Sequence, residues 1–267
     1  MTYTRILYTV TDGVAVITFN DPPANTYSYE MMREIDHAVL DARMDAAVHV
    51  IVLTGQGEKF FCAGANIGML KDADPTFKYY FCLHANETLA RLEQTPKLVI
   101  AALNGHTVGG GLEVAMAADI RIARLGGGKI GMPEVALGVL PGTGGTQRLA
   151  RLVGKARAIE LMATGALSSF EEAAAIGLVS HVWGEPDLKG RSFADAVLDY
   201  AKQFTPPHRA SKAVGHIKRA VQSGLEMSFH DGLALERELQ QRLFESADAH
   251  EGIRANLEKR KPVFKGV

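Results

Sequence analysis

The chain has 267 residues, with 29 Lys+Arg against 30 Asp+Glu for a net charge of −1. Hydrophobic residues at 47% and charged residues at 22% exclude wholesale disorder, and the near-neutral balance argues against a general nucleic-acid binder. Two cysteines cannot build a disulfide scaffold, no apolar run reaches the ~18 residues of a membrane span, and MTYTRILYTVTDGVAV lacks the features of a signal peptide, so a soluble cytoplasmic protein is expected. Val14 to Phe19 reads as a strand introduced by the turn Asp12-Gly13 and stopped at Asp21-Pro22-Pro23. Met32, Ile35, Val39 and Ala42 then recur at helical spacing. Val48 to Leu53 and Leu98 to Leu103 are continuously apolar, as in strands buried on both faces. A helix is predicted over about 75–94, and Asp119 to Ala123 as a short fourth strand. Strand and helix thus alternate, which points to an α/β core with crossover connections. No internal sequence repeat is evident.

Beyond about residue 143 the pattern turns helical. Ser168 and Glu171 have capping-box spacing, with Gly177 ending that helix. Phe193, Val197, Tyr200 and Phe204 form an apolar stripe, and Leu235, Leu239 and Leu243 mark a long helix. Asp248 and Glu251 cap a last one. A division into an α/β core over 1–200 and a helical region over 201–267 follows. The second part is too small for a confident core of its own and packs on the first part or on another subunit.

Glycine is 27 of 267 residues and clusters in the middle. Three segments there are suited to chemistry. In FFCAGANI (60–67), small residues follow a strand-end loop that can aim a backbone N–H at a ligand, or can simply make a tight turn. In NGHTVGGGLE (104–113), three glycines precede a helix start, where free N–H groups suit a developing oxyanion or a phosphate. The dinucleotide fingerprint and the P-loop both fail on spacing. In GMPEVALGVLPGTGGTQ (131–147), Glu134 precedes an apolar run, and a carboxyl group in such surroundings has a raised pKa suited to acid–base work. A lone Glu there is more commonly a helix N-terminal charge. Glu113 and Glu134 together are more telling, because convergence would raise the proton affinity of one of them. No metal-binding spacing and no serine-hydrolase elbow appears. Cys62 and Cys82 read as small buried hydrophobes.

These segments, with AIGLVSHV (175–182) and EKRKPVFK (258–265), resemble the crotonase superfamily, specifically enoyl-CoA hydratases, in order over nearly the whole chain. The resemblance implies a spiral of repeated ββα units with a C-terminal helical region used for trimerisation, in trimers or dimers of trimers. It implies an acyl-CoA thioester as substrate, with coenzyme A as part of that substrate and no separate cofactor or metal. Glu113 and Glu134 match the two catalytic glutamates, Ala65 and Gly110 the backbone oxyanion hole, and Gly142 an amide supporting the water. Coenzyme A is expected along Ala24, Ala63, Asn66, Ile67 and Gly68, with Lys259 reaching it from a neighbouring subunit. The implied reaction, of the kind used in fatty acid β-oxidation, adds water to a 2-enoyl-CoA. A double-bond isomerase is the alternative: it needs mainly one base, which matches Glu134. Hydratases of branched, aromatic or sulfur-containing enoyl-CoAs share the same motifs. An RNA-binding relative would show a basic stripe, which residues 75–95 lack. The chain departs from the usual pattern at Asn66, commonly Asp; at Asn25-Thr26-Tyr27-Ser28, commonly Asn-Ala-Leu-Asn or -Ser; and at Lys129-Ile130, commonly a polar residue and Phe.

Overall fold

A computed structural model describes residues 2–267. Strands β1 (Ile6–Thr11) and β2 (Val14–Phe19) form a hairpin. Its turn residues Asp12 and Gly13 have φ of 49° and 80°, the left-handed pair that matches the twist of a two-residue hairpin. Helix α1 (Tyr29–Met44) starts at Ser28, whose side chain accepts from the Met31 N–H. It buries Met32, Ile35, Val39 and Ala42, the residues of the predicted stripe.

Three strand–strand–helix passages follow. The first comprises β3 (Val50–Gly55), β4 (Phe60–Cys62), α2 (Ile67–Lys71) and α3 (Pro75–Gln94). The second comprises β5 (Leu98–Leu103), β6 (His106–Val108) and α4 (Gly110–Met116). The third comprises β7 (Ile120–Arg124), β8 (Lys129–Gly131), a 3-10 turn over Glu134–Leu137, α5 (Gly145–Val153) and α6 (Lys155–Thr164). Strand β9 (Leu167–Ser169), α7 (Phe170–Ala175) and β10 (His181–Trp183) come next. Helices α8 (Glu185–Leu188), α9 (Phe193–Lys202), α10 (Ser211–Gly224), α11 (Phe229–Phe244) and α12 (Ala247–Leu257) complete the chain.

From β3 to β8 successive strands alternate between two sheets. One has the order β1-β2-β3-β5-β7-β10 and the other β4-β6-β8-β9. Each passage thus places its first strand in the large sheet and its second in the small one, in parallel with the strand of the preceding passage. This is the expected spiral of ββα units. Side chains of β3 divide with period two: Ile51 and Leu53 enter the core cluster that holds α1 and α3, while Val50 and Val52 face Phe193 and Val197 of α9. Both faces of the large sheet are therefore covered at β3 and β5, as the unbroken apolar runs predict, while the edge strand β1 is largely exposed.

Helix α10 is tied to the α/β part by Lys218. Its buried Nζ donates to the carbonyls of Leu92 (3.2 Å) and Lys97 (3.1 Å) and pairs with Asp119 at 2.9 Å. Two predicted caps shift. Ser168 pairs with Ile130 in the small sheet, so the strand runs one residue further and the capping box forms from Ser169 and Glu172. Helix α12 is capped by Ser246. Asp248 instead accepts from the amides of Lys265 and Gly266, both at 2.7 Å, and holds the C-terminal tail. The second predicted strand also starts later, at Val50.

Candidate active site

The small sheet positions the site. Its strands β4, β6 and β8 are parallel neighbours, so their C-terminal ends lie side by side. Ala63-Gly64-Ala65 leaves the first, Gly109-Gly110 the second, and Pro133-Glu134 follows the third. Loops at the C-terminal ends of parallel strands form the customary binding crevice of α/β proteins.

The glycine triplet is dictated by close packing. Gly109 has φ 57°, and an added Cβ there would stand 2.9 Å from Glu134 Oε1. A Cβ at Gly110 would overlap Tyr27 Oη, and one at Gly111 the Cys62 carbonyl. The Gly110 N–H opens α4 and has no partner one turn back. The Ala65 loop lies against it: a Cβ at Gly64 would be 3.0 Å from the Gly110 nitrogen. On either side of Ala65 the backbone is engaged. Tyr27 N–H donates to the Gly64 carbonyl and Asn66 N–H to the Tyr27 carbonyl, each at 2.9 Å. The amides of Ala65 and Gly110 take no part in these bonds and border one cavity.

Glu113 is 2% exposed and lies in the first turn of α4, two residues past the triplet. Its Oε1 accepts from the amides of Thr143 (2.8 Å) and Gly145 (2.7 Å), and its Oε2 accepts from the Thr143 hydroxyl. Gly145 is the first residue of α5, so the carboxylate takes up the positive end of that helix. Gly144, at φ 103°, is the N-cap of that turn. Glu134 lies in the 3-10 turn, and its Oε2 is buried without a hydrogen-bond partner. Burial raises the Glu134 pKa from 4.5 to about 7, helped by the nearby Glu113 charge and opposed by Lys78. Two carboxyl groups in contrasting settings result: one held by three donors with a lone pair of Oε2 still free, the other desolvated and able to carry a proton near neutral pH.

Between them lies a cavity of about 300 Å³. Of the predicted site residues, Glu113, Glu134, Ala65, Gly110, Gly142, Ala63 and Ile67 line it. Ala24, Asn66, Gly68 and Lys259 do not. The Ala24 carbonyl accepts from the Ala63 amide at 3.1 Å. Asn66 caps α2: its Oδ1 accepts from the Met69 amide at 3.0 Å, and its Nδ2 donates to Thr26 Oγ1 at 3.3 Å. The departure from Asp at this position therefore keeps the cap. Lys259 is exposed just past α12. Cys62 is buried, but Cys82 is only half-buried and borders Gly142, where an added Cβ would be 3.0 Å from its Sγ.

Sequence reasoning passed over Tyr27, Thr143 and Lys78, all of which line the cavity. Thr143 lies inside a segment already singled out for its glycines. Tyr27 occupies a stretch that departs from the usual pattern, which was the available signal. Leu70, Leu137, Val139 and Leu140 supply an apolar wall. A groove of about 670 Å³ also holds two carboxyl groups, but Asp248 accepts from the tail amides and Glu251 is paired with Arg254 and Arg260; one of about 650 Å³ between Gln56 and Arg191 has no buried carboxyl group.

Residues 9–267 match the sequence profile of the enoyl-CoA hydratase/isomerase family. A short-chain-enoyl-CoA hydratase of Clostridium acetobutylicum is 38% identical over 93% of this chain and 92% of its own length. A crotonyl-CoA hydratase of Syntrophomonas wolfei is 35% identical over 99% of both. A crystal structure of an enoyl-CoA hydratase from Geobacillus kaustophilus superposes with a TM-score of 0.95 at 43% identity, covering 100% of this chain and 98% of that one.

Proposed function

The chain belongs to the enoyl-CoA hydratase/isomerase family, and from that premise we propose that it adds water across the 2,3 double bond of a 2-enoyl-CoA thioester to give the 3-hydroxyacyl-CoA. The observation that carries this reading is the pair Glu113 and Glu134 facing one cavity in opposite electrostatic settings. An isomerase would need only one of them. Both are retained, and Glu113 is held by three hydrogen bonds.

The thioester carbonyl accepts from the Ala65 and Gly110 amides. This stabilises negative charge on its oxygen and makes the β-carbon electrophilic. Water lies between the two carboxyl groups, supported by the Gly142 amide. Glu113 takes a proton from the water as its oxygen bonds to the β-carbon. The π-electron pair moves to the α-carbon through the enolate, and the protonated Glu134 supplies the α-proton. Turnover leaves the proton on Glu113, and its return to Glu134 resets the site. No redox step and no cofactor beyond the substrate's own coenzyme A is involved.

Coenzyme A extends along Ala24, Ala63, Asn66, Ile67 and Gly68 in this reading. The exposed apolar side chains of α10 to α12, among them Val221, Leu225, Phe229 and Leu257, support a trimer or dimer of trimers. Residues 201–267 are then the oligomerisation region, and Lys259 reaches the coenzyme A of a neighbouring subunit. Among the described residues no helix is long and apolar enough to cross a membrane. Together with the two free cysteines, this supports a cytoplasmic setting.

The test mixes purified protein with crotonyl-CoA and follows loss of the conjugated thioester absorbance. Rapid loss is expected, reduced about a hundredfold or more in Glu113→Gln and in Glu134→Gln. Absence of hydration by the wild type would reject the short-chain assignment.

A further inference from the structure

Tyr27 touches both halves of this machinery. Its main chain bridges to Ala65, and its hydroxyl packs so closely on Gly110 that a Cβ there would overlap it. The ring is fixed by stacking on Phe81, with centroids 5.9 Å apart. Only 2% of the residue is exposed, yet its edge reaches the cavity wall. The hydroxyl is 3.4 Å from Thr143 Oγ1. Thr143 donates its own proton to Glu113 Oε2, so towards Tyr27 its oxygen can only accept. The direction of the chain is thereby set: Tyr27 O–H to Thr143, and Thr143 O–H to Glu113. Burial first, and the Glu113 charge second, keep the phenol well above its ordinary pKa, so it stays a proton-bearing donor. At 3.4 Å the first link is longer than an ordinary hydroxyl pair, and catalytic hydrogen bonds commonly tighten when substrate fills a site.

We infer that Tyr27 is a positioning residue for hydration, holding Glu113 in its water-binding rotamer through Thr143 while its ring supports the Gly110 amide. This rests on the hydratase reading. A donor behind Thr143 strengthens the bond that Thr143 makes to Glu113, because chains of hydrogen bonds polarise one another. The Leu more usual at this position supplies no donor.

Tyr27→Phe removes the oxygen and keeps the ring. It is expected to lower kcat for crotonyl-CoA hydration by about five- to tenfold, the weight of one ordinary hydrogen bond, with KM within about twofold. In a Thr143→Val background the same change is expected to cost nothing further, since the link it acts through is gone. Wild-type kcat in Tyr27→Phe, a loss confined to KM, or a full independent loss on top of Thr143→Val would each overturn the inference. Failure of the wild type to hydrate crotonyl-CoA would count against the preceding reading instead. A readout free of activity covers that case. A slowly exchanging hydroxyl proton, seen by NMR in the wild type and lost in both Tyr27→Phe and Thr143→Val, is expected from the chain. Its absence from the wild type, or its persistence unchanged in Tyr27→Phe, overturns it.

Discussion

Glu134→Gln is expected to make the protein more stable in mild alkali while removing its activity. In the folded chain Glu134 titrates at about 7, against 4.5 for a solvated carboxyl group. Between these values the native state holds a proton that the unfolded chain has released, so stability declines as pH rises through that window. Below 4.5 both states are protonated and nothing is lost. Above about 7 both are ionised, and the native state bears the full cost of a desolvated charge beside Glu113. At about 1.4 kcal/mol per pH unit the upper bound is roughly 3 kcal/mol, and solvent screening of this partly buried group reduces it to about 1–2 kcal/mol. Glutamine has the same shape and no charge, so the variant recovers up to that amount at pH 8 and none at pH 4. For a chain of this size each kcal/mol moves the thermal midpoint by about 2–4 °C. The midpoint difference between variant and wild type is therefore expected to grow from about zero at pH 4 to several degrees at pH 8, followed by circular dichroism or calorimetry. Glu113→Gln is the contrast. It places an amide among three donors and is expected to destabilise by about 1–3 kcal/mol at neutral pH. A Glu134→Gln variant no more stable than wild type at pH 8, or stabilised equally at every pH, would refute the assignment of Glu134 as the strained, proton-carrying partner.

Hydration starts with the proton on Glu134 and dehydration with it on Glu113, two arrangements of one ionisation state. Both directions are accordingly expected to lose kcat/KM about tenfold per pH unit above about 7; a dehydration rate that rises through this range would contradict the shared-proton scheme. Gly110→Ala forces a Cβ onto Tyr27 and displaces the amide, for an expected rate loss of about a hundredfold or more. Competition by a saturated acyl-CoA is the control, and it is expected to remain within severalfold of wild type. Asn66→Asp keeps the α2 cap and is expected to leave stability within about 0.5 kcal/mol, whereas Asn66→Ala loses about 1 kcal/mol in denaturant titration.

The two carboxyl groups could be read from sequence because each borders glycines that only a tight backbone requires. The strands Val14–Phe19 and Leu98–Leu103 were equally legible, the first from its β-rich residues behind the Asp12-Gly13 turn and the second because an unbroken apolar run is the mark of burial on two faces. The spiral itself carries no signal of that kind. Its small-sheet strands are three residues long, too short to show a period, and what defines them is pairing with strands distant in the chain, as between Phe60 and His106 or Thr107 and Ile130. Without an internal sequence repeat, only the family resemblance supplied that architecture. Thr143 and Tyr27 were missed for a related reason. Their roles depend on a partner 30 residues away in one case and 116 in the other; Thr143 is an ordinary residue in its loop, and the departure at Tyr27 does not by itself say what the phenol touches. The cap at Asp248 failed because a carboxylate placed for a helix start was drawn to the tail amides instead.

The three neighbouring strand ends have a consequence for how this protein can change. Reactivity is vested in short backbone exits at Ala65, Gly110 and Glu134, whereas the apolar lining from Leu70, Val139 and Leu140 belongs to segments that begin after those exits, with only Leu137 sharing the turn of Glu134. Loop and helix lengths beyond the exits can drift, lengthening or narrowing the acyl channel, without moving an amide or a carboxyl group of the reacting centre. Substrate range and chemistry are thus separable, and a library confined to residues 69–77, 79–80 and 139–140, which spares Lys78 and the turn that carries Glu134, would explore the first while leaving the reacting groups in place.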